Sequence, residues 1–264
     1  MLQIKNLQKV FNKDTVNEKT VFKNLNFHIN KGDFITIVGS NGAGKSSLLN
    51  LVSGSLLPDG GSINLNGMDI SNLPEHKRTK FIGRVFQNPA LGTSPSMTIL
   101  ENLSMAYNKG KKFGLSSGVS KKNIVFFKEI LSNLSLGLEN NLNTKVGLLS
   151  GGQRQALSLL ISTISNPDLL LLDEHTAALD PKTSENIIEL TKKTVAEKNI
   201  TTLMITHNLN HAIDIGNRLI MLHGGEIILD ISGEEKKSLT ITKLLDLFNN
   251  KKCEDFISDE LALS

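Results

Sequence analysis

The run Phe34-Ile35-Thr36-Ile37-Val38 passes directly into Gly39-Ser40-Asn41-Gly42-Ala43-Gly44-Lys45-Ser46, and no other stretch limits the possible folds so strongly. A short apolar run rich in β-branched residues reads as a strand buried on both faces. The segment after it satisfies G-x-x-x-x-G-K-[ST] at every specified position. Leu48, Leu49 and Val52 then follow at helical spacing as far as Gly54. A strand, a glycine-rich turn and a helix start, in that order, make a concave loop whose backbone N–H groups converge on an anion. The positive end of the helix dipole adds to the attraction. In such a loop Lys45 reaches the β and γ phosphates of a nucleotide, and the Ser46 hydroxyl ligates Mg²⁺. Without a ligand the same residues would be only a glycine-rich αβ turn, a reading that leaves Lys45 and Ser46 at their specified positions unexplained.

The surrounding pattern sets the fold class. Residues 2–11 alternate in polarity and read as a strand, as do residues 21–29, where Val21, Leu25, Phe27 and Ile29 are apolar. Pro58-Asp59-Gly60-Gly61 is a turn, and residues 62–67 alternate as an edge-type strand. From about residue 91 to 150 the strand signals vanish. Ile124, Phe127, Ile130, Leu131 and Leu134 keep helical spacing there, which predicts a mostly helical insertion. Alternation then resumes with strands over 168–173, 201–206, 217–222 and 226–230 and helices over 181–198 and 209–215. Ile241, Leu244, Leu245 and Phe248 lie on one face of a C-terminal helix, and the tail after Lys251 is expected to be disordered. Strands alternating with helices imply an α/β fold with a largely parallel sheet.

Composition excludes some functions. The 264 residues carry 29 basic and 26 acidic side chains, a net charge of +3, too balanced for a nucleic-acid binder. Cys253 is the lone cysteine, so no internal disulfide forms, and a reducing compartment suits the chain. No signal peptide is evident, and no stretch approaches the roughly 20 apolar residues needed to span a bilayer. A chain of this kind serves a membrane only by docking onto others. Lys109, Lys111, Lys112, Lys121 and Lys122 form a basic segment, read as a solvated face ahead of a lipid-headgroup contact.

Two more segments carry chemistry. Leu169-Leu170-Leu171-Leu172-Asp173-Glu174 is an apolar strand ending in two acids. Asp173 stands at the carboxyl end of the strand, where open α/β sheets bind ligands, and suits Mg²⁺. Glu174, one residue on, points elsewhere and suits a general base for an attacking water. By themselves the two acids could equally cap a strand and stay solvated. Leu149-Ser150-Gly151-Gly152-Gln153-Arg154-Gln155 opens a second helix with a second glycine-rich, anion-facing start. The same residues also make an ordinary serine N-cap, with Ala156, Leu157, Leu160, Ile161 and Ile164 packing inward.

Taken together, these motifs and their order resemble the ATPase subunits of ATP-binding cassette (ABC) transporters over about residues 1–232. The resemblance implies a RecA-like P-loop core with an antiparallel β lobe and a helical subdomain inserted over about 91–155, followed by a C-terminal helix and tail over 233–264. It implies an ATPase using ATP and Mg²⁺. ATP would be held by Gly39, Ser40, Asn41, Gly42, Ala43, Gly44, Lys45, Ser46 and Ser47, with Phe11 stacking on adenine; Phe11 could equally be strand packing. Mg²⁺ would be held by Ser46, Gln87 and Asp173. Lys45, Gln87, Glu174 and His207 would be catalytic. Read alone, Gln87 before Asn88-Pro89 is a turn residue, and a histidine after a strand is more often structural. Ser150, Gly151, Gly152 and Gln153 would complete the site on a second cassette, a homodimer being favoured. Asp180 would lie in the loop crossing the dimer interface and also reads as an N-cap before Pro181.

One departure stands out: His175 follows Glu174, where the family commonly has proline. The runs Asp173-Glu174-His175-Thr176-Ala177-Ala178-Leu179-Asp180-Pro181 and Ile231-Ser232-Gly233-Glu234-Glu235-Lys236-Lys237 are similar to bacterial ATPases that serve branched-chain amino-acid-type permeases importing tryptophan, tyrosine or related compounds. The resemblance thus implies solute uptake through separate permease subunits, with an extracytoplasmic substrate-binding protein. The subunit itself would sit peripherally on the cytoplasmic face of the cell membrane. A soluble ABC ATPase and an exporter subunit are the alternatives.

Overall fold

The computed structural model describes residues 1–111 and 118–250. Lys112, Cys253 and the C-terminal tail, each singled out above, lie outside the described residues. The chain order is β1 (Leu2–Phe11), β2 (Lys19–Ile29), β3 (Phe34–Val38), α1 (Lys45–Ser53), β4 (Gly60–Leu65), β5 (Met68–Asp69), α2 (Glu75–Arg78) and β6 (Ile82–Val85). Then come α3 (Ile99–Tyr107), α4 (Ile124–Ser132), α5 (Gly151–Thr163), β7 (Leu169–Asp173), α6 (Pro181–Lys198), β8 (Thr201–Ile205) and α7 (Leu209–Asp214). β9 (Arg218–His223), β10 (Glu226–Ser232), α8 (Gly233–Lys237) and α9 (Ile241–Asn250) are the last elements among the described residues. These elements group into two compact units, one built from Met1–Thr79 and the chain from Thr201 onward, the other from Lys80–Ile200.

The first unit holds an antiparallel sheet in the order β2-β1-β4-β5. The alternation read from residues 2–11 decides its buried face: Leu2 pairs with Ile29 and Leu65, and Ile4 with Phe27 and Ile63. All of these side chains are buried. The strand expected at an edge, β4, instead lies between β1 and the two-residue β5. Too little of β5 exists to leave a trace in the local pattern. The same unit holds β3 between β8 and β9, parallel to both, with β10 antiparallel to β9. All five residues of β3 are buried. Loop side chains pin its start: the Phe34 N–H donates to Asn217 Oδ1 at 2.8 Å and the Gly32 N–H to Thr201 Oγ1 at 2.9 Å.

Two buried cations secure chain ends in this unit. The Arg78 guanidinium donates to Leu51 O, Val52 O, Ser71 O and Leu73 O at 2.6–3.0 Å, closing the C-terminus of α1. Lys236 on α8, a helix the apolar pattern does not announce, donates to Ile213 O and Gly216 O at 3.1 Å and also to Ile215 O, at the end of α7. Burial pulls its pKa down to about 8. Helix α9 buries Leu244 and Phe248 beside Leu219, Leu229 and Ile231, with Leu245 partly covered; Ile241, expected on the same face, is exposed.

The second unit pairs β6 with β7 in parallel, Ile82 opposite Leu169 and Val85 opposite Leu172. Around Phe127 and Leu131 of α4, a separate core gathers Ile99 and Leu103 of α3 and Leu157 of α5, as the helical spacing implied. Strand β6 has no counterpart in the sequence reading. Ile-Gly-Arg-Val is short and interrupted, but Gly83 is there for packing. A Cβ on it would fall 2.3 Å from Ser162 O of α5. Helix α3 lies inside the stretch expected to be helical, and Thr98 and Glu101 form a reciprocal capping box at its start. The basic segment is exposed at Lys109 and Lys122, while the Lys111 ammonium lies 3.7 Å from the Tyr107 ring centroid.

Candidate nucleotide site and catalytic carboxylates

The turn between β3 and α1 is shaped by glycine. Gly39 has φ 154°, and a Cβ there would fall 2.1 Å from Leu222 O. Gly44 has φ 102°, with the Phe22 ring 2.9 Å from where its Cβ would be. Only a residue without a side chain fits either place. Gly44 is the N-cap of α1 and no side chain caps the helix start, nor does an acidic residue sit in its first turn. Lys45 is 6% exposed, and its ammonium donates to Gly39 O at 2.5 Å and Ser40 O at 3.1 Å. The result is a curled backbone, an uncapped positive helix end and a buried cation, while Ser46 is exposed on the first turn. This arrangement fits a polyphosphate with its metal ion.

Two further predicted residues belong beside this loop. Thr206 N–H donates to Ile37 O at 3.2 Å, so the chain leaves β8 at His207 next to where it leaves β3 at Gly39. His207 is exposed. Phe11, half-buried at the end of β1, pairs with Lys19, whose ammonium lies 3.6 Å from the place of a Cβ on Gly42. Lys9 Nζ sits 5.7 Å from the Phe11 ring centroid.

In the second unit, β6 and β7 run parallel and release their next residues at the same end. Gln87 and the Asp173-Glu174 pair therefore emerge together. Asp173 Oδ2 accepts from Arg84 Nη2 at 3.0 Å, and the Arg84 guanidinium stacks 4.5 Å from the Phe86 ring centroid. Arg84 was not among the candidates; an arginine in an interrupted strand gives no local sign of a partner 89 residues away. Glu174 is half-buried with φ 44°. A left-handed backbone at a residue with a side chain costs on the order of 1–2 kcal/mol, and such strain gathers where a side chain must be aimed. Gln87 is exposed, and the segment before it is tied to α5, where Gln155 Nε2 donates to Phe86 O at 3.4 Å and Ser162 Oγ to Arg84 O at 2.6 Å.

The second glycine-rich turn is both a cap and a packing device. Ser150 Oγ accepts from Gln153 N–H at 3.3 Å, and Gln153 Oε1 accepts from Ser150 N–H at 3.2 Å. A Cβ on Gly152 would fall 2.4 Å from Thr183 Cγ2, and one on Gly151 3.4 Å from Leu179 Cδ2. The turn at 150–153 thus lies against the 179–183 corner. There Asp180 Oδ1 accepts from Thr183 N–H at 3.1 Å. Hydrogen bonds from the Thr183 side chain and then its backbone hold the Asp180 carboxyl below the usual range. The two segments assigned to a dimer interface share one corner of the unit.

Comparison with known proteins fits this geometry. Residues 22–177 match the family model described as ABC transporter. The chain is 54% identical over 248 residues to a tyrosine transport ATP-binding protein of Clostridioides difficile, covering 94% of this chain and 98% of that one. It is 33% identical over 246 residues to a methionine import ATP-binding protein of Enterococcus faecalis, covering 92% of this chain and 67% of that one. Among solved structures, it matches the dimeric post-hydrolysis state of an ATP-binding cassette bound to ADP and Pi with a TM-score of 0.75 at 32% identity, covering 88% of this chain and 98% of that one.

Proposed function

This chain belongs to the ABC transporter family as an ATP-hydrolysing cassette, and from that premise we propose that it powers uptake of an amino acid, tyrosine or a close relative, through separate membrane permease subunits. The observation that carries the solute class is the 54% identity to the tyrosine transport protein across 98% of its length. Among the described residues no helix is long and apolar enough to cross a membrane. The chain therefore works at the membrane through partners: a second cassette, the permease, and an extracytoplasmic protein that delivers the solute. Its place is the cytoplasmic face of the cell membrane.

Bound Mg²⁺-ATP supplies the scissile phosphoanhydride and a metal to neutralise charge on the transferred phosphate. The backbone N–H groups of residues 39–46 cradle the phosphates, and Lys45 turns its ammonium from the loop carbonyls towards them. Ser46 and Asp173 would hold the metal, with Gln87 placed for it or for the attacking water. Glu174 takes the proton of that water, and His207 donates to the γ-phosphate. Phe11 stacks on the base. Ser150, Gly151, Gly152 and Gln153 of one copy face the nucleotide held by its partner, and Asp180 crosses the interface beside them. Two copies of this chain suffice, since each carries every part.

Changing Glu174→Gln keeps the shape and removes the base. We expect kcat to fall at least about 100-fold with ATP still bound, and a dimer that accumulates with ATP on gel filtration. Wild-type turnover in that variant would remove Glu174 from the role of base. Reconstitution with the permease and delivery protein, then stimulation of hydrolysis by tyrosine but not by methionine, tests the solute.

A further inference from the structure

His175 directly follows the strained Glu174, yet it does not face solvent. It is 1% exposed, and its Nε2 lies 3.1 Å from Thr191 Oγ1 on α6. Thr191 is equally buried, and its hydroxyl donates to Ile187 O at 2.7 Å, one turn back along the helix. A hydroxyl has a single proton to give. With that proton committed to Ile187 O, the oxygen can only accept from the histidine. The contact therefore requires a hydrogen on Nε2. The chain leaves β7 at Asp173, turns left-handed at Glu174 (φ 44°), and is fastened at the next residue to the interior of α6.

We propose that His175 is a positioning residue for Glu174. Its Nε2–H bond to Thr191 Oγ1 anchors the backbone just beyond Glu174 to α6 and so holds the left-handed turn that aims the carboxylate. A buried imidazole N–H needs an acceptor, and here the acceptor stands on α6, so the bond ties the residue after Glu174 to that helix. A buried donor–acceptor pair between the loop and a helix of the same unit also resists relaxation of the strained residue towards an ordinary conformation. This reading rests on Glu174 being the base.

The test uses the full-length chain. Thr191→Val keeps the shape of the side chain and removes the acceptor, and Thr191→Ser keeps the acceptor. Val195→Ala, on the same helix and 7% exposed, supplies a destabilised control outside the catalytic machinery. In Thr191→Val we expect kcat for ATP hydrolysis to fall five- to twentyfold with KM for ATP within twofold of wild type. Thr191→Ser should stay within threefold of wild-type kcat, and Val195→Ala should lower the unfolding temperature without lowering kcat. In nitrogen-15 spectra of the histidine rings, a slowly exchanging Nε2–H signal assigned to His175 should be present in wild type and Thr191→Ser and lost in Thr191→Val. Wild-type kcat in Thr191→Val, an equal fall in Val195→Ala, or no protected Nε2–H in wild type would overturn the proposal. Glu174→Gln separates the two readings. If it retains turnover, the base assignment fails whatever Thr191 does; if it loses turnover while Thr191→Val does not, only the anchor fails.

Discussion

The turn after β3 and the turn after β7 are both strand-to-helix corners, and they are built by opposite means. The first is made of backbone: glycines at 39 and 44 remove side chains where none would fit, and α1 starts without a side-chain cap. The second is made of side chains. Asp173 is paired with Arg84, Glu174 holds a left-handed conformation, His175 is bonded to Thr191, and Asp180 caps α6. Holding an anion asks only for converging N–H groups and a positive helix end, which a bare backbone provides. Moving a proton asks for one carboxylate at one place, and that place has to be held by other side chains.

This contrast can be broken at either corner. The largest effect belongs to the backbone corner. Gly39→Ala sets a Cβ against Leu222 O and should cost about 3 kcal/mol or more, with loss of nucleotide binding, as read by urea unfolding and ATP titration. If alanine at 39 is tolerated, the first corner is not fixed by glycine. An intermediate effect belongs to Arg84→Met, which leaves Asp173 without its ion pair. We expect a loss of about 1–3 kcal/mol in urea unfolding, larger than in Arg84→Lys, which keeps the positive charge beside Asp173. The smallest effect belongs to the cap. The depressed pKa of Asp180 means its ionised form stabilises the fold above the ordinary value of 3.8, and this contribution is lost as pH falls through the lower folded value. The gap in unfolding temperature between wild type and Asp180→Asn should therefore be present near about pH 6 and close by about pH 2. A gap that persists in acid would show that the carboxylate charge does not support this corner.

The two corners also differed in how readable they were. The whole phosphate loop lies in adjacent residues, so its glycines, Lys45 and Ser46 can be recognised from a string of letters, and the buried strand and helix around it confirm the context. Asp180-Pro181 announced the start of α6 for the same local reason, and that helix begins at Pro181. Arg84 could not be read this way, because its partner Asp173 is brought to it only by the parallel pairing of β6 with β7. Nor could Gly152, whose lack of a side chain makes sense only once Thr183 is seen against it. His175 was visible as a departure from a family pattern, but its partner was not. β4 looked like an edge because the strand that covers it has two residues.

The sequence by itself determined the α/β class and the glycine-rich turn between β3 and α1, and it named the residues proposed to act there. It could do so because backbone curvature, helix starts and strand burial are set by residues within a few positions of one another. Only the tertiary structure decided which side chains stand against those candidates and their neighbours: Arg84 on Asp173, Thr191 beside His175, Thr183 against Gly152. These are contacts between elements distant in the chain, and their partners are selected by strand pairing and helix packing, which no local pattern encodes.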